Sequence, residues 1–167
     1  SANEYLTRAN LMKGYDKEHA ATPIYEAKHV VVCGAGNVAM DAARCAKRMG
    51  ASEVYIIYRR SMDELPARAE EVHHAMEEGI IFKPLTNPVE IKGDENGVVT
   101  GIECVEMQLG EPDASGRRKP VVVEGSNHVI PVDMVIMSIG TKLNTLILDT
   151  TKDLAANKKG GIGTDDD

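Results

Sequence analysis

The chain has 167 residues, of which 43% are hydrophobic, enough to fill one core of ordinary domain size. Its net charge of -7 argues against general nucleic-acid binding, because an acidic surface repels a phosphate backbone. No apolar run approaches the roughly 20 residues that span a bilayer, and the polar stretch from Ser1 to Leu11 lacks a signal-peptide core. A cytoplasmic protein with no nucleic-acid and no membrane partner is therefore expected. A single domain is expected over 1–167, with an N-terminal helix and connector (1–27), a core (28–141) and a partly ordered tail (142–167).

In chain order, Tyr5, Leu6, Ala9, Leu11 and Met12 fall at helical spacing, which predicts a short amphipathic helix over 4–14 ended by Gly14. Residues 15–26 are polar, contain Pro23 and read as a connector. The apolar run at 28–33 predicts a strand buried on both faces, as in a parallel sheet. A helix follows over 37–49, with Val38, Ala42, Cys45, Ala46 and Met49 as its inner stripe and Gly50 as its stop. A second strand covers 53–58, and strand, helix and strand together predict a right-handed βαβ unit.

Residues 59–65 read as a loop, and Pro66 is expected to open the next helix. Ala69, Val72 and Met76 form that helix's inner stripe, Gly79 ends it, and a third strand covers 80–85. The pattern then changes to β segments at 89–92, 98–108 and 121–130. They are separated by turns at 94–97, 113–116 and 125–127, as an antiparallel meander in place of a crossover helix. A last core strand covers 133–139 and runs into Gly140-Thr141. The fold class is thus α/β, a Rossmann-like three-layer arrangement around a parallel sheet. The ends at 158–161 and 165–167 read as frayed.

The motif that carries chemistry is Gly34-x-Gly36-x-x-Ala39, between the first strand and the first helix. In this dinucleotide fingerprint the first glycine permits the sharp turn. The second leaves room for pyrophosphate, and a small third residue lets helix and strand pack closely. Gly34, Ala35, Gly36, Asn37, Val38 and Ala39 are therefore the expected phosphate seat, with Asn37 at the helix start as the expected cap.

Dinucleotide sites that select NAD place an acid after the second strand. This chain has Tyr58-Arg59-Arg60-Ser61 there. A guanidinium binds a 2′-phosphate bidentately where a carboxylate repels it, so Arg59, Arg60 and Ser61, with Arg68, point to NADPH. Asp63 and Glu64 keep an NAD reading open. Ile139, Gly140 and Thr141 are expected to line the inner part of the same site, at the edge where open α/β sheets bind ligands.

Asp41 and the run Arg117-Arg118-Lys119 read as solvated charge. Cys33, Cys45 and Cys104 form no CxxC pattern, and adjacent His73 and His74 point about 100° apart on a helix, so no metal site and plain thiols are expected. Neither a GxSxG elbow nor a GxxxxGK[ST] loop is present. A methyltransferase also carries a glycine turn, but it wants an acid where Arg59 and Arg60 stand. A non-catalytic dinucleotide-binding module is the remaining rival.

Several stretches together are similar to one family. They are Gly34 to Arg44, Tyr58 to Ser61, Leu65 to Val72, Thr86 to Ile91, Leu109 to Arg118, and Ser1 to Met12. They resemble the NADPH-binding domain of the glutamate synthase small (beta) subunit family. That family includes the flavin subunits of electron-bifurcating ferredoxin:NADP oxidoreductases and sulfide dehydrogenase subunits. The resemblance implies an NADPH domain excised from a larger flavoprotein, whose FAD domain takes hydride and whose iron–sulfur clusters lie elsewhere. It implies as partners that FAD domain and the glutamate synthase large subunit or another electron-transfer subunit. It also implies that the isolated chain has no catalytic residue of its own and turns over no substrate. Where the family often has Gly-x-x-Pro-Asn after the last strand, this chain has Gly140-Thr141-Lys142-Leu143-Asn144.

Overall fold

A computed structural model describes residues 1–20, 22–114, 116–157 and 160–164. The expectations for Ser115, Lys158, Lys159 and 165–167 lie outside the described residues. Strand β1 (His29–Cys33) is the centre of the fold. Side chains alternate along a strand, so Val30 and Val32 enter one core and Val31 and Cys33 another, all of them buried. A strand apolar on both faces needs a layer on each side, as the uninterrupted valines imply.

β1 sits inside a four-stranded parallel sheet of order β3-β2-β1-β8, with β2 (Glu53–Ile57), β3 (Ile81–Lys83) and β8 (Met134–Met137). Val30 stands opposite Val54 on one side and Met134 on the other. The sheet therefore grows from β1 to β3 in one direction and is completed by β8 in the other. The Asp133 carboxylate accepts the backbone N–H groups of Lys28 at 2.9 Å and His29 at 2.8 Å, which fixes β8 against the start of β1.

Three helices cover the first face: α1 (Ala2–Leu6), which continues as a π-helical turn at Thr7–Leu11, α2 (Asn37–Arg48) and α3 (Ala69–Glu77). Buried Ala39, Ala42, Ala43 and Ala46 let α2 lie close to the sheet, and Met40 fills the remaining volume. Val38, expected inside, faces out at 43% exposure, because Met40 takes the core position. The first helix ends earlier than expected, at Met12, where Lys13 turns into a left-handed conformation at φ 54°. Pro66 does not open α3. Arg68 is its N-cap, so the inward face carries Val72 and Ala75 while Ala69 and Met76 are exposed.

The second face is covered by antiparallel strands: β4 (Thr86–Gly93), β5 (Val99–Pro112), β6 (Arg118–Val122) and β7 (His128–Ile130). Long β5 pairs with β4 on one edge and with β7 and β6 on the other. Ile102, Cys104, Ile130 and Val132 pack onto Val31, Cys33 and Ile57. The result is three layers, helices, parallel sheet and antiparallel sheet, with the meander where a crossover helix would otherwise lie. β3 is shorter than expected because Leu85, at φ 51°, turns the chain out of the parallel sheet and into β4. Past the core, α4 (Leu146–Thr150) exposes Leu146 and Ile147, and Ala156 bridges to Ile162.

The three cysteines are free thiols. Burial pushes Cys33 up to about 12 and Cys104 up to about 11, so both stay protonated and act as small apolar side chains. No helix among the described residues is long and apolar enough to cross a membrane.

Burial raises the Asp133 carboxyl, but the backbone N–H groups of Lys28 and His29 outweigh it and hold its pKa below the ordinary 3.8. A carboxyl lowered in the folded state contributes stability that is complete above its unfolded value and lost as pH falls through the folded one. Asp133→Ala is expected to cost about 1–2 kcal/mol at pH 7, after allowing for its partial exposure. Urea denaturation is expected to show that difference shrinking as pH falls below about 4. A cost independent of pH would show that the charge on this carboxylate contributes nothing to the joint.

Candidate functional site

Where β1 ends, the backbone of Gly34 takes φ +121° and its N–H donates to the Ile57 carbonyl at 3.1 Å. A Cβ here would collide with the Ser138 carbonyl oxygen. The Ser138 N–H in turn donates to the Cys33 carbonyl at 2.8 Å. The ends of β1 and β8 therefore touch through backbone alone, at the point where the sheet reverses its direction of growth. Such switch points are where open α/β sheets take their ligands.

Gly36 differs. Its φ of -81° suits any residue, and nothing lies within 4 Å of where its Cβ would be. It is the N-cap of α2, and no side chain caps that helix. Asn37, the expected cap, is instead the first helical residue, and its Oδ1 accepts the Arg68 N–H at 2.9 Å, tying α2 to the start of α3. The first N–H groups of a twelve-residue helix thus face outward without a side-chain acceptor, at the positive end of its dipole.

Two clefts meet at this helix start. One, of about 660 Å³, is lined by residues 33–36, 57–60, 86–88 and 137–140 together with Pro66 and Arg117. The other, of about 510 Å³, lies toward α1 and is lined by residues 1–3, Gly36, Asn37, Val38, Met137, Ser138, Gly140 and Thr141. They share Gly36, Met137, Ser138 and Gly140.

The structure thus brings Gly34, Ala35, Gly36, Arg59, Arg60, Ile139 and Gly140 to the larger cleft, and Asn37, Val38 and Thr141 to the smaller one. Ala39 is fully buried beneath the turn, in a packing position. Ser61 and Arg68 line neither cleft. The Ser61 hydroxyl donates to Glu64 Oε2 at 3.2 Å and closes a 3-10 turn at Met62–Glu64. Arg68 lies at the N-cap of α3, because that helix begins after it rather than at Pro66. Asp41, Asp63 and Glu64 line neither cleft, and among the described residues no carboxylate lines either.

The adjacent arginines have different fates. Arg59 is exposed at the rim of the larger cleft. Arg60 is only 8% exposed, and its Nε donates to the Arg118 carbonyl at 3.1 Å. Its own carbonyl accepts the Leu85 N–H at 2.9 Å. Arg60 therefore joins the end of β2 to the antiparallel sheet.

That contact swings the β5–β6 hairpin over the cleft and places Arg117 on its wall. Arg117 was expected to be solvated turn charge. Only the tertiary contact between Arg60 and Arg118, 58 residues apart, reveals its position. Among the described residues, no group of three His, Cys, Asp or Glu side chains could hold a metal ion.

A parallel sheet with an antiparallel layer on one face, and a glycine turn at its switch point, is an α/β arrangement of the dinucleotide-binding kind. Residues 2–167 match the family described as pyridine nucleotide-disulphide oxidoreductase, and the chain belongs to that family. It is 48% identical over 143 residues to the NADP(+)-dependent formate dehydrogenase subunit beta of Moorella thermoacetica, covering 86% of this chain and 20% of that one. It is 45% identical over 115 residues to the glutamate synthase [NADPH] small chain of Escherichia coli, covering 69% and 24%. The chain thus spans about a quarter or less of the length of these relatives. Among solved structures, FprA of Mycobacterium tuberculosis in complex with NADPH superposes with a TM-score of 0.63 at 20% identity, covering 83% of this chain and 43% of that one. This last likeness is one of fold.

The two glycines are expected to separate on substitution. Gly34→Ala meets both a left-handed φ and a backbone collision, and should cost about 3 kcal/mol or more, or prevent folding. Gly36→Ala loses only a favourable cap residue, about 1 kcal/mol at most. Thermal denaturation of the two variants checks this, and similar losses in both would contradict the assignment of Gly34 as the structural glycine.

Proposed function

We propose that this chain is the NADPH-binding domain of an oxidoreductase of the glutamate synthase small-chain type. The observation that carries the reading is the cleft that runs from the uncapped start of α2 to the guanidinium groups at the end of β2, with no carboxylate among the described residues of its wall. The start of α2 seats the pyrophosphate, whose oxygens accept the first N–H groups of the helix. The open space at Gly36 lets those oxygens approach the backbone. Arg59 meets the adenosine 2′-phosphate, and the missing acid removes the group that would favour NADH.

The smaller cleft takes the nicotinamide half, with Val38, Gly140 and Thr141 against it. When bound, NADPH supplies a hydride that the FAD of the whole enzyme accepts, and the protein's share is binding and orientation. This chain accordingly supplies no acid, base or nucleophile. The FAD domain of the same polypeptide is the first proposed partner, and a glutamate synthase large subunit the second. A cytoplasmic location and the placement of FAD and iron–sulfur clusters outside these residues belong to the same proposal. The similar identity to the formate dehydrogenase subunit supports a second reading, in which the same domain feeds a different electron-transfer subunit.

Calorimetry with NADPH and NADH tests the reading. NADPH is expected to bind at least about tenfold more tightly than NADH, the effect of one charge-assisted contact to phosphate. Gly36→Val is expected to weaken both cofactors while the chain stays folded. The chain alone is expected not to oxidise NADPH unless flavin is added. Equal affinity for the two cofactors, or no binding of either, would contradict the proposal.

A further inference from the structure

We infer that Arg117, on the β5–β6 hairpin, is a ligand of the adenosine 2′-phosphate and sets the preference for the phosphorylated cofactor together with Arg59. The inference rests on the dinucleotide reading above and adds to it a residue from a different layer of the fold.

Arg117 and Arg59 line the same cleft, although one belongs to the antiparallel sheet and the other to the end of a parallel strand. A phosphate monoester carries a charge of about -1.5 to -2 near neutral pH, so one guanidinium matches it incompletely and two from opposite walls match it well. Arg60 is poorly suited to be the second. It is buried, its Nε is committed to the Arg118 carbonyl, and its backbone is committed to Leu85.

The guanidinium of Arg117 has no acceptor among the described residues, yet its backbone is held firmly. Its N–H donates to Asp113 Oδ1 at 3.0 Å, and its carbonyl accepts the Asp113 N–H at 2.9 Å. The next residue, Arg118, is anchored by Arg60 and pairs with Pro112 across the hairpin. A charged side chain on a doubly anchored backbone, lining a cleft with no carboxylate among its described residues, is preorganised for an anion. The Arg60 bond thus makes Arg60 a positioning residue that delivers its neighbour across the cleft.

The test is calorimetry of the full chain and of Arg117→Ala, Arg117→Glu and Arg118→Ala, each with NADPH, NADH and adenosine 2′,5′-bisphosphate. Arg117→Ala is expected to weaken NADPH and the bisphosphate by about 10- to 100-fold, the range for a charge-assisted phosphate contact, with NADH changed less than about twofold. Arg117→Glu should weaken them further through repulsion. Arg118→Ala, whose side chain does not line the cleft and whose carbonyl remains, should match the parent chain. Circular dichroism of each variant checks that the fold is kept.

A parent chain that prefers NADPH, with Arg117→Ala losing less than about fivefold of that preference, overturns this inference and leaves the dinucleotide reading intact. An equal loss for NADPH and NADH also overturns it, because a phosphate ligand cannot affect the cofactor that lacks the phosphate. A parent chain with no preference defeats the proposed function itself, and that result is read before any variant is examined.

Discussion

Gly34 lies against the carbonyl of Ser138 with no room for a side chain between them, and the rest of the site follows from that contact. It joins the ends of β1 and β8 by backbone alone, reinforced by the bond from Ser138 to Cys33. With the two strand ends so close, the chain leaving β1 must turn upward and start α2 at once. The helix start is then held over the sheet edge, with its N–H groups directed outward. At the other end of the same strands, Asp133 fixes the register that makes the contact possible.

The two faces of the parallel sheet divide the work. Small residues on α2 bring the helix layer close, so the dipole of α2 acts at the turn. The antiparallel layer packs on the opposite face through Ile102, Cys104 and Ile130. Its remote hairpin meets the end of β2 where Arg60 holds the Arg118 carbonyl. Leu85 contributes too. Its left-handed backbone redirects the chain from the parallel to the antiparallel sheet beside the cleft, a conformation that costs a residue with a Cβ roughly 1–2 kcal/mol. Strain of this kind is usual beside functional clefts.

Much of the fold was legible in the chain because it is written in local patterns. The valines of β1 announced a strand buried on both sides, and Gly34-x-Gly36 announced the turn after it. The switch to short strands separated by turns at 94–97 and 125–127 announced the second sheet. The errors came where tertiary packing overrode local signals. Pro66 looked like a helix start, but it lies in the link between the Ser61–Glu64 turn and Arg68, the N-cap from which α3 starts at Ala69. Val38 fitted the apolar stripe of α2 until Met40 took the inner position. Arg117 left its expected solvated turn for the cleft wall, beside a contact from Arg60 to Arg118, 58 positions apart, that no local pattern encodes. Spacing could place guanidinium groups after the second strand, but only the hairpin's path could bring another one to face them.

The most direct test of the central claim is an NMR titration of the isotope-labelled chain with NADPH, following backbone amides. The amides of residues 35–38 and 138–141 are expected to move together with those of Arg59 and Arg117, while amides in the middle of β4 and α3 stay in place. Shifts that avoid the turn after β1, or that concentrate on the exposed face of the antiparallel sheet, would contradict it.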